Sequence, residues 1–131
     1  MKSYQWYQTL RKPSWAPPQW LFGPVWTFLY IIITASFGYV AYQTTQGTLA
    51  FAVLLPFIVN LIFNLAFTPI QFGLKNNFLA MLDILAVLGT LIWALLTIYP
   101  LVHWVVFANI PYLLWTTFAS VLQITITILN K

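Results

Sequence analysis

Four long stretches of this 131-residue chain, residues 21–42, 49–72, 78–99 and 104–129, contain no lysine, arginine or glutamate. Each is long enough to cross the roughly 30 Å hydrocarbon core of a bilayer as a helix. Helix is the form required, because hydrocarbon offers a lone segment's N–H and C=O groups no partner outside that segment. The rest of the chain cannot rescue a water-soluble reading, since 62% of residues are apolar and 5% charged, too few to cover an aqueous surface. The expected fold is therefore all-α: an integral membrane helical bundle of four transmembrane helices, one domain over residues 1–131. The breaks at residues 43–48, 73–77 and 100–103 are short, which makes sequential helices antiparallel neighbours.

Charge placement orients that bundle. Lys2, Arg11, Lys12, Lys75 and Lys131 are the only basic residues, and with four spans all of them fall on one side. By the positive-inside rule that side is cytoplasmic, together with both termini. The same scatter excludes a nucleic-acid partner, which needs clustered basic residues. Residues 1–20 carry aromatics, prolines and three basic residues where a signal peptide would have its apolar core, so the first span is expected to serve as its own insertion signal. The absence of cysteine excludes disulfides, thiolate chemistry and cysteine-ligated metals.

Ahead of the first span stands a cap of unusual composition. Four of the seven tryptophans lie within the first 26 residues, alternating with prolines from Pro13 through Trp15, Pro17, Pro18 and Trp20 to Pro24 and Trp26. A rigid aromatic lid on a membrane helix points to a binding site. Further prolines interrupt the spans at Pro56, Pro69 and Pro111, where each removes a backbone donor and frees a carbonyl four residues earlier, so kinks are expected near Ala52, Leu65 and Phe107.

Helical periodicity collects the polar residues into stripes. Asn60, Asn64, Thr68 and Gln71 share one face of the second span, Asn109, Tyr112, Thr116, Ser120, Gln123 and Thr127 one face of the fourth, and Phe22, Trp26 and Tyr30 align on the first. These stripes point inward because lipid cannot hydrogen-bond an amide. For Ser and Thr the reading is interhelical bonding, under about 2 kcal/mol each. Two amides one turn apart, Asn60 and Asn64, need several partners, which other helices, water or a ligand can supply.

Asp83 is the sole acidic residue and lies within the third span, where an unpaired carboxylate costs roughly 3 kcal/mol or more. Two roles follow: a pin that holds the amino-terminal segment over the bundle mouth through Arg11, a tryptophan N–H or a backbone donor, or one station of a proton relay. With no second ionisable group at its depth, the pin is the favoured expectation. His103, at the opposite end beside Trp104, reads as an interfacial residue. One His and one distant Asp build neither a metal site nor a Ser-His-Asp set, so no catalytic residue, metal or cofactor is assigned.

The segment from Trp6-Tyr7-Gln8-Thr9-Leu10-Arg11-Lys12-Pro13-Ser14-Trp15-Ala16-Pro17-Pro18 to Phe22-Gly23-Pro24-Val25-Trp26-Thr27-Phe28-Leu29-Tyr30 closely resembles the signature of the tryptophan-rich sensory protein family, also called translocator protein or peripheral-type benzodiazepine receptor. Asn60 to Asn64, Phe72-Gly73, Pro111 to Trp115 and Phe118-Ala119 agree in the family's order. The resemblance implies a five-span membrane fold, of which this chain carries four, the span before the Trp-Tyr segment being absent. It further implies a pocket beneath the cap that binds tetrapyrroles such as protoporphyrin IX, or sterol-like molecules, lined by Tyr7, Phe22, Trp26, Asn64, Phe67, Trp115 and Ala119. Trp15, Pro17, Pro18 and Asp83 would be cap and structural positions, and Trp26 and Trp115 would match tryptophans linked to light-dependent porphyrin breakdown. The function implied is a receptor or sensor that is not a dedicated enzyme, with a porphyrin transporter as the alternative. Homodimerisation is expected from the family and from the small-residue pairs Ala35 with Gly38 and Ala86 with Gly89. Asn60, Phe67 and Gln123 stand where many members carry Gln, Trp and Asn.

Overall fold

The computed structural model describes residues 10–17 and 19–130, and all regular structure among them is helical. A single 3₁₀ turn, Gln19–Leu21, leads into α1 (Phe22–Thr45). There follow α2 (Phe51–Thr68) with a π-helical turn Pro69–Gly73 at its end, α3 (Asn77–Ile98), the short α4 (His103–Ala108) and α5 (Ile110–Leu129). Helices α1, α2, α3 and α5 are each long and apolar enough to cross a membrane. Their outward faces carry bare Ile31, Ile62, Leu96 and Leu114, as expected where lipid takes the place of water.

The reversals have local causes. Gly47, at φ 77, supplies the left-handed residue between α1 and α2 that a side chain would resist. Asn76 caps α3 by accepting the Leu79 N–H at 2.9 Å, relieving one donor of the first turn. Pro69 marks where the α-helical ladder of α2 gives way to the π turn.

One boundary differs from the sequence expectation. The fourth span is not continuous from residue 104 to 129: it breaks at Asn109, two residues beyond the kink expected at Phe107. Pro111 stands in the first turn of α5, where its missing N–H costs nothing, and Asn109 closes α4. The Asn109 N–H is shared between the carbonyls of Val105 and Val106, while its Nδ2 donates to Val105 O and to Ser36 Oγ on α1.

Helix α3 is the central element, packed along both α2 and α5, whereas α1 meets α2 more sparsely. The main core lies at the end of the bundle away from the cap and includes Ile33, Phe37, Phe57, Leu91, Ile98 and Val105, all buried. A second, smaller cluster forms at the other end, where Leu122 and Ile126 of α5 receive Leu10 and Ala16 of the cap with Phe22 and Phe118. Cap, α2–α3 loop and carboxy-terminus therefore gather at one end, which is the arrangement the one-sided charges require.

Candidate functional site: an aromatic layer over an amide network

Inside the bundle the polar stripes interlock in one direction. Tyr30 Oη donates to Asn64 Oδ1 at 2.9 Å, and Asn64 Nδ2 donates to Tyr112 Oη at 2.8 Å. The Tyr112 hydroxyl passes its own proton to Asn60 Oδ1 at 2.9 Å, and Asn60 Nδ2 ends the chain on Val87 O at 2.8 Å and Thr90 Oγ1 at 3.2 Å. Four helices are thus bonded through two amides and two phenols. Asn60 and Tyr112 are fully buried, a situation tolerable only because each donor meets an acceptor. The partners that the two asparagines require come from the protein itself.

One turn towards the cap the character changes from satisfied amides to aromatic rings. Phe22 on α1 meets Trp115 on α5 edge-on, with ring centroids 6.0 Å apart, and Trp115 packs against Phe118 at 5.6 Å. From the cap, Trp15 reaches Phe118 edge-on at 5.7 Å. Trp26 leans on Tyr30 at 5.8 Å, joining the aromatic layer to the amide network. Trp26, Phe67, Trp115 and Ala119 are half-buried against the main core. Of the residues expected in the pocket, then, Phe22, Trp26, Asn64, Phe67, Trp115 and Ala119 lie inside the bundle near the cap. Tyr7 and Pro18 lie outside the described residues. Among described rings, Phe22 and Phe118 touch Trp115, and Trp26 meets Tyr30 instead.

Three buried atoms towards the cap have no hydrogen-bond partner, the indole Nε1 of Trp115, Oδ2 of Asp83 and Oδ1 of Asn77, and a fourth, Oδ1 of Asn109, lies at the remote end. Among the described residues Asp83 Oδ2 meets none of the partners expected of a pin, neither Arg11, a tryptophan N–H nor a backbone donor. The Arg11 backbone bonds instead to Asn130, whose Oδ1 accepts the Arg11 N–H at 3.0 Å while its Nδ2 donates to the Arg11 carbonyl at 2.8 Å. A carboxamide matches a peptide unit in both directions, which a carboxylate cannot do. Asn130 carried no signal in the sequence, since it follows the last apolar residue. Phe118 did carry one, standing three positions after Trp115 on the same side of a helix. Beside the cap clamp, partial burial holds Lys12 below the ordinary lysine pKa.

The remaining positions take structural places. Thr116 and Ser120 donate to the carbonyls one turn earlier on their own helix, while Gln123 and Thr127 donate to Asn77 O and tie α5 to the start of α3. Thr68 is exposed, so the α2 stripe turns outward at its end. His103 is exposed and stacks on Tyr99 at 4.7 Å beside the Tyr39–Trp104 pair, an aromatic belt at the end remote from the cap. On the outer face of α1 an open hollow of about 510 Å³ runs past Thr27, Tyr30, Ile31, Thr34 and Ala35.

Comparison with known proteins extends the resemblance. A family model described as the TspO/MBR family matches residues 1–129. Protein CrtK of Rhodobacter capsulatus is 41% identical over 71 residues, 54% of this chain and 44% of its own length. The tryptophan-rich sensory protein of Cereibacter sphaeroides is 38% identical over 77 residues, covering 58% of this chain and 46% of that one. The human translocator protein is 37% identical over 90 residues, 65% and 51% of the two chains. These matches span about half the length of each relative.

Proposed function

The chain belongs to the TspO/MBR family of multi-pass integral membrane proteins, and from that premise we propose that it is a membrane receptor or sensor for a tetrapyrrole of protoporphyrin type. The observation that carries the reading is the aromatic layer under the cap, Phe22, Trp115, Phe118 and Trp15 in mutual ring contact with an indole N–H left without an acceptor inside it. A flat, largely apolar macrocycle complements such a layer by stacking, and its peripheral carboxylates suit the basic mouth formed by Arg11 and Lys12. The relatives' names, sensory protein and translocator protein, support binding rather than a dedicated catalytic role. Light-dependent breakdown of the bound ring, if Trp26 and Trp115 supply the oxidisable indoles, is a by-reaction of binding in this reading.

The membrane we propose is a bacterial cell membrane, with both termini cytoplasmic. Single cysteines placed at Thr48 and at Asn76 test the orientation: only position 48 is expected to react with an impermeant reagent from outside. The function itself is tested by titrating protoporphyrin IX into the purified chain and following tryptophan fluorescence, which should fall saturably by energy transfer. Binding indifferent to both Trp26→Ala and Trp115→Ala removes the pocket assignment. The name translocator protein favours transport as a second reading. Porphyrin uptake by sealed vesicles containing the chain, beyond what binding accounts for, would establish it.

A further inference from the structure

Asp83 is the chain's sole acidic residue, 6% exposed, and its Oδ2 is sealed from solvent with no hydrogen-bond partner. Among the described residues it forms no ion pair, and the amino-terminal clamp is made by Asn130 instead. Its position follows from the register of the amide network. Val87, which accepts from Asn60, lies one turn beyond Asp83 on the same face of α3. Asn64 lies one turn from Asn60 on α2, and Thr116 one turn from Tyr112 on α5, both buried and both displaced towards the cap. Asp83 therefore lies on the cap side of the Asn60–Val87 contact, level with Asn64 and Thr116. Phe67, three residues beyond Asn64, and Trp115, next to Thr116, are both partly buried against the core. Asn64 accepts from one phenol and donates one N–H to the other, the Thr116 hydroxyl donates to its own backbone, and Asp83 Oδ2 receives a proton from neither.

A buried carboxyl without an internal cation is costly when ionised. The complement of that group is a cation, and the complement of aromatic faces beside it is again a cation. We propose that the pocket also takes lipophilic amines: a protonated amine would form an ion pair with Asp83 while its apolar body lies among Phe67, Trp115 and Phe22. This inference rests on the aromatic layer being a ligand site, and not on tetrapyrrole being the ligand. Asp83 would then determine which ligands are preferred, and would leave the packing of the helices to the amide network.

The test uses the full chain in phosphatidylcholine nanodiscs and two flat probes of one body, 1-pyrenemethylamine and 1-methylpyrene, followed by energy transfer from tryptophan, with empty nanodiscs subtracted for partitioning. Wild type is expected to bind the amine about tenfold more tightly than the hydrocarbon, a difference of about 1.4 kcal/mol. Asp83→Leu should bring the amine down to the hydrocarbon's affinity while the hydrocarbon itself changes less than about twofold. Asp83→Asn keeps the volume and a carbonyl acceptor but no charge, so it should fold as wild type and lose most of the preference. Equal affinity for both probes in wild type, or a preference that survives Asp83→Leu, overturns the proposal. A chain that binds protoporphyrin IX without preferring the amine keeps the receptor reading and loses this one. The converse result, preference for the amine without porphyrin binding, keeps this inference and loses the other.

Discussion

Two regions of the bundle solve the same problem in opposite ways. In the middle of the bundle, polar side chains are joined donor to acceptor from Tyr30 to Val87, and beyond them Asn109 bonds Ser36 and Val105 through its Nδ2 while its Oδ1 stays without a partner. Towards the cap, rings meet edge to edge at 5.6 to 6.0 Å, and the Trp115 indole and the Asp83 carboxyl are left buried and unpaired. A helix bundle in lipid gains little from hydrophobic burial between its helices, so interhelical hydrogen bonds and close packing must specify the register. The amide network supplies that specification, and the aromatic layer does not take part in it.

If this division is real, damage to the network should cost stability first and damage to the pocket should cost ligand binding first. Tyr112→Ala carries the largest expected effect, about 3–5 kcal/mol from the cavity alone, with two amides orphaned in addition. Tyr112→Phe keeps the ring and isolates the hydroxyl, with about 1–3 kcal/mol lost. Both are read from unfolding in mixed micelles. A Tyr112→Ala chain no less stable than Trp115→Ala would erase the contrast between the two regions.

Trp115→Ala should sharpen it from the other side. Porphyrin affinity is expected to fall about tenfold or more, from lost stacking near 1 kcal/mol plus buried area, while Trp115→Phe retains much of it. The unfolding midpoint should move less than in Tyr112→Phe, because Trp115 is only half-buried and its N–H bonds nothing. A porphyrin titration on the three chains decides this.

The smallest effect belongs to the clamp at the rim. Asn130→Ala removes two hydrogen bonds to the Arg11 backbone, worth about 1 kcal/mol each at most in this exposed setting. Trypsin cleavage after Arg11 should quicken while the unfolding midpoint of the helices stays put. Unchanged cleavage would mean that the cap is held by Leu10 and Ala16 against Leu122 and Ile126, and that the clamp is incidental.

Much of the inward-facing polar pattern was legible beforehand, and the exceptions are instructive. The stripes Asn60–Asn64 and Tyr112–Thr116 could be read because helical periodicity is a local property, and burial of both confirms their facing. The aromatic residues Phe22, Trp26 and Trp115 were named by resemblance and lie inside near the cap. For Asp83 the sequence left Arg11, a tryptophan N–H and a backbone donor open as partners, and nothing local reveals that the Arg11 peptide is held by Asn130. The break at Asn109 was displaced by two residues for a similar reason. Pro111 announces a disruption, but Asn109 chose its place by reaching Ser36 on another helix.

What the sequence determined by itself was the solvent, the number of spans, their antiparallel order and the faces that turn inward. Those follow from hydropathy, charge placement and a 3.6-residue period, all of them properties of a short stretch of chain. What the tertiary structure alone decided was which buried polar atoms find each other. Whether Tyr112 stands level with Asn60 and Asn64, or a turn away, depends on the axial offset of α5 against α2 and α3. An offset of one turn, about 5.4 Å, is enough to exchange a bonded amide for an orphaned one. That offset is set by packing across the whole bundle, and it is the reason that Asn60 is satisfied while Asp83 and Trp115 are not.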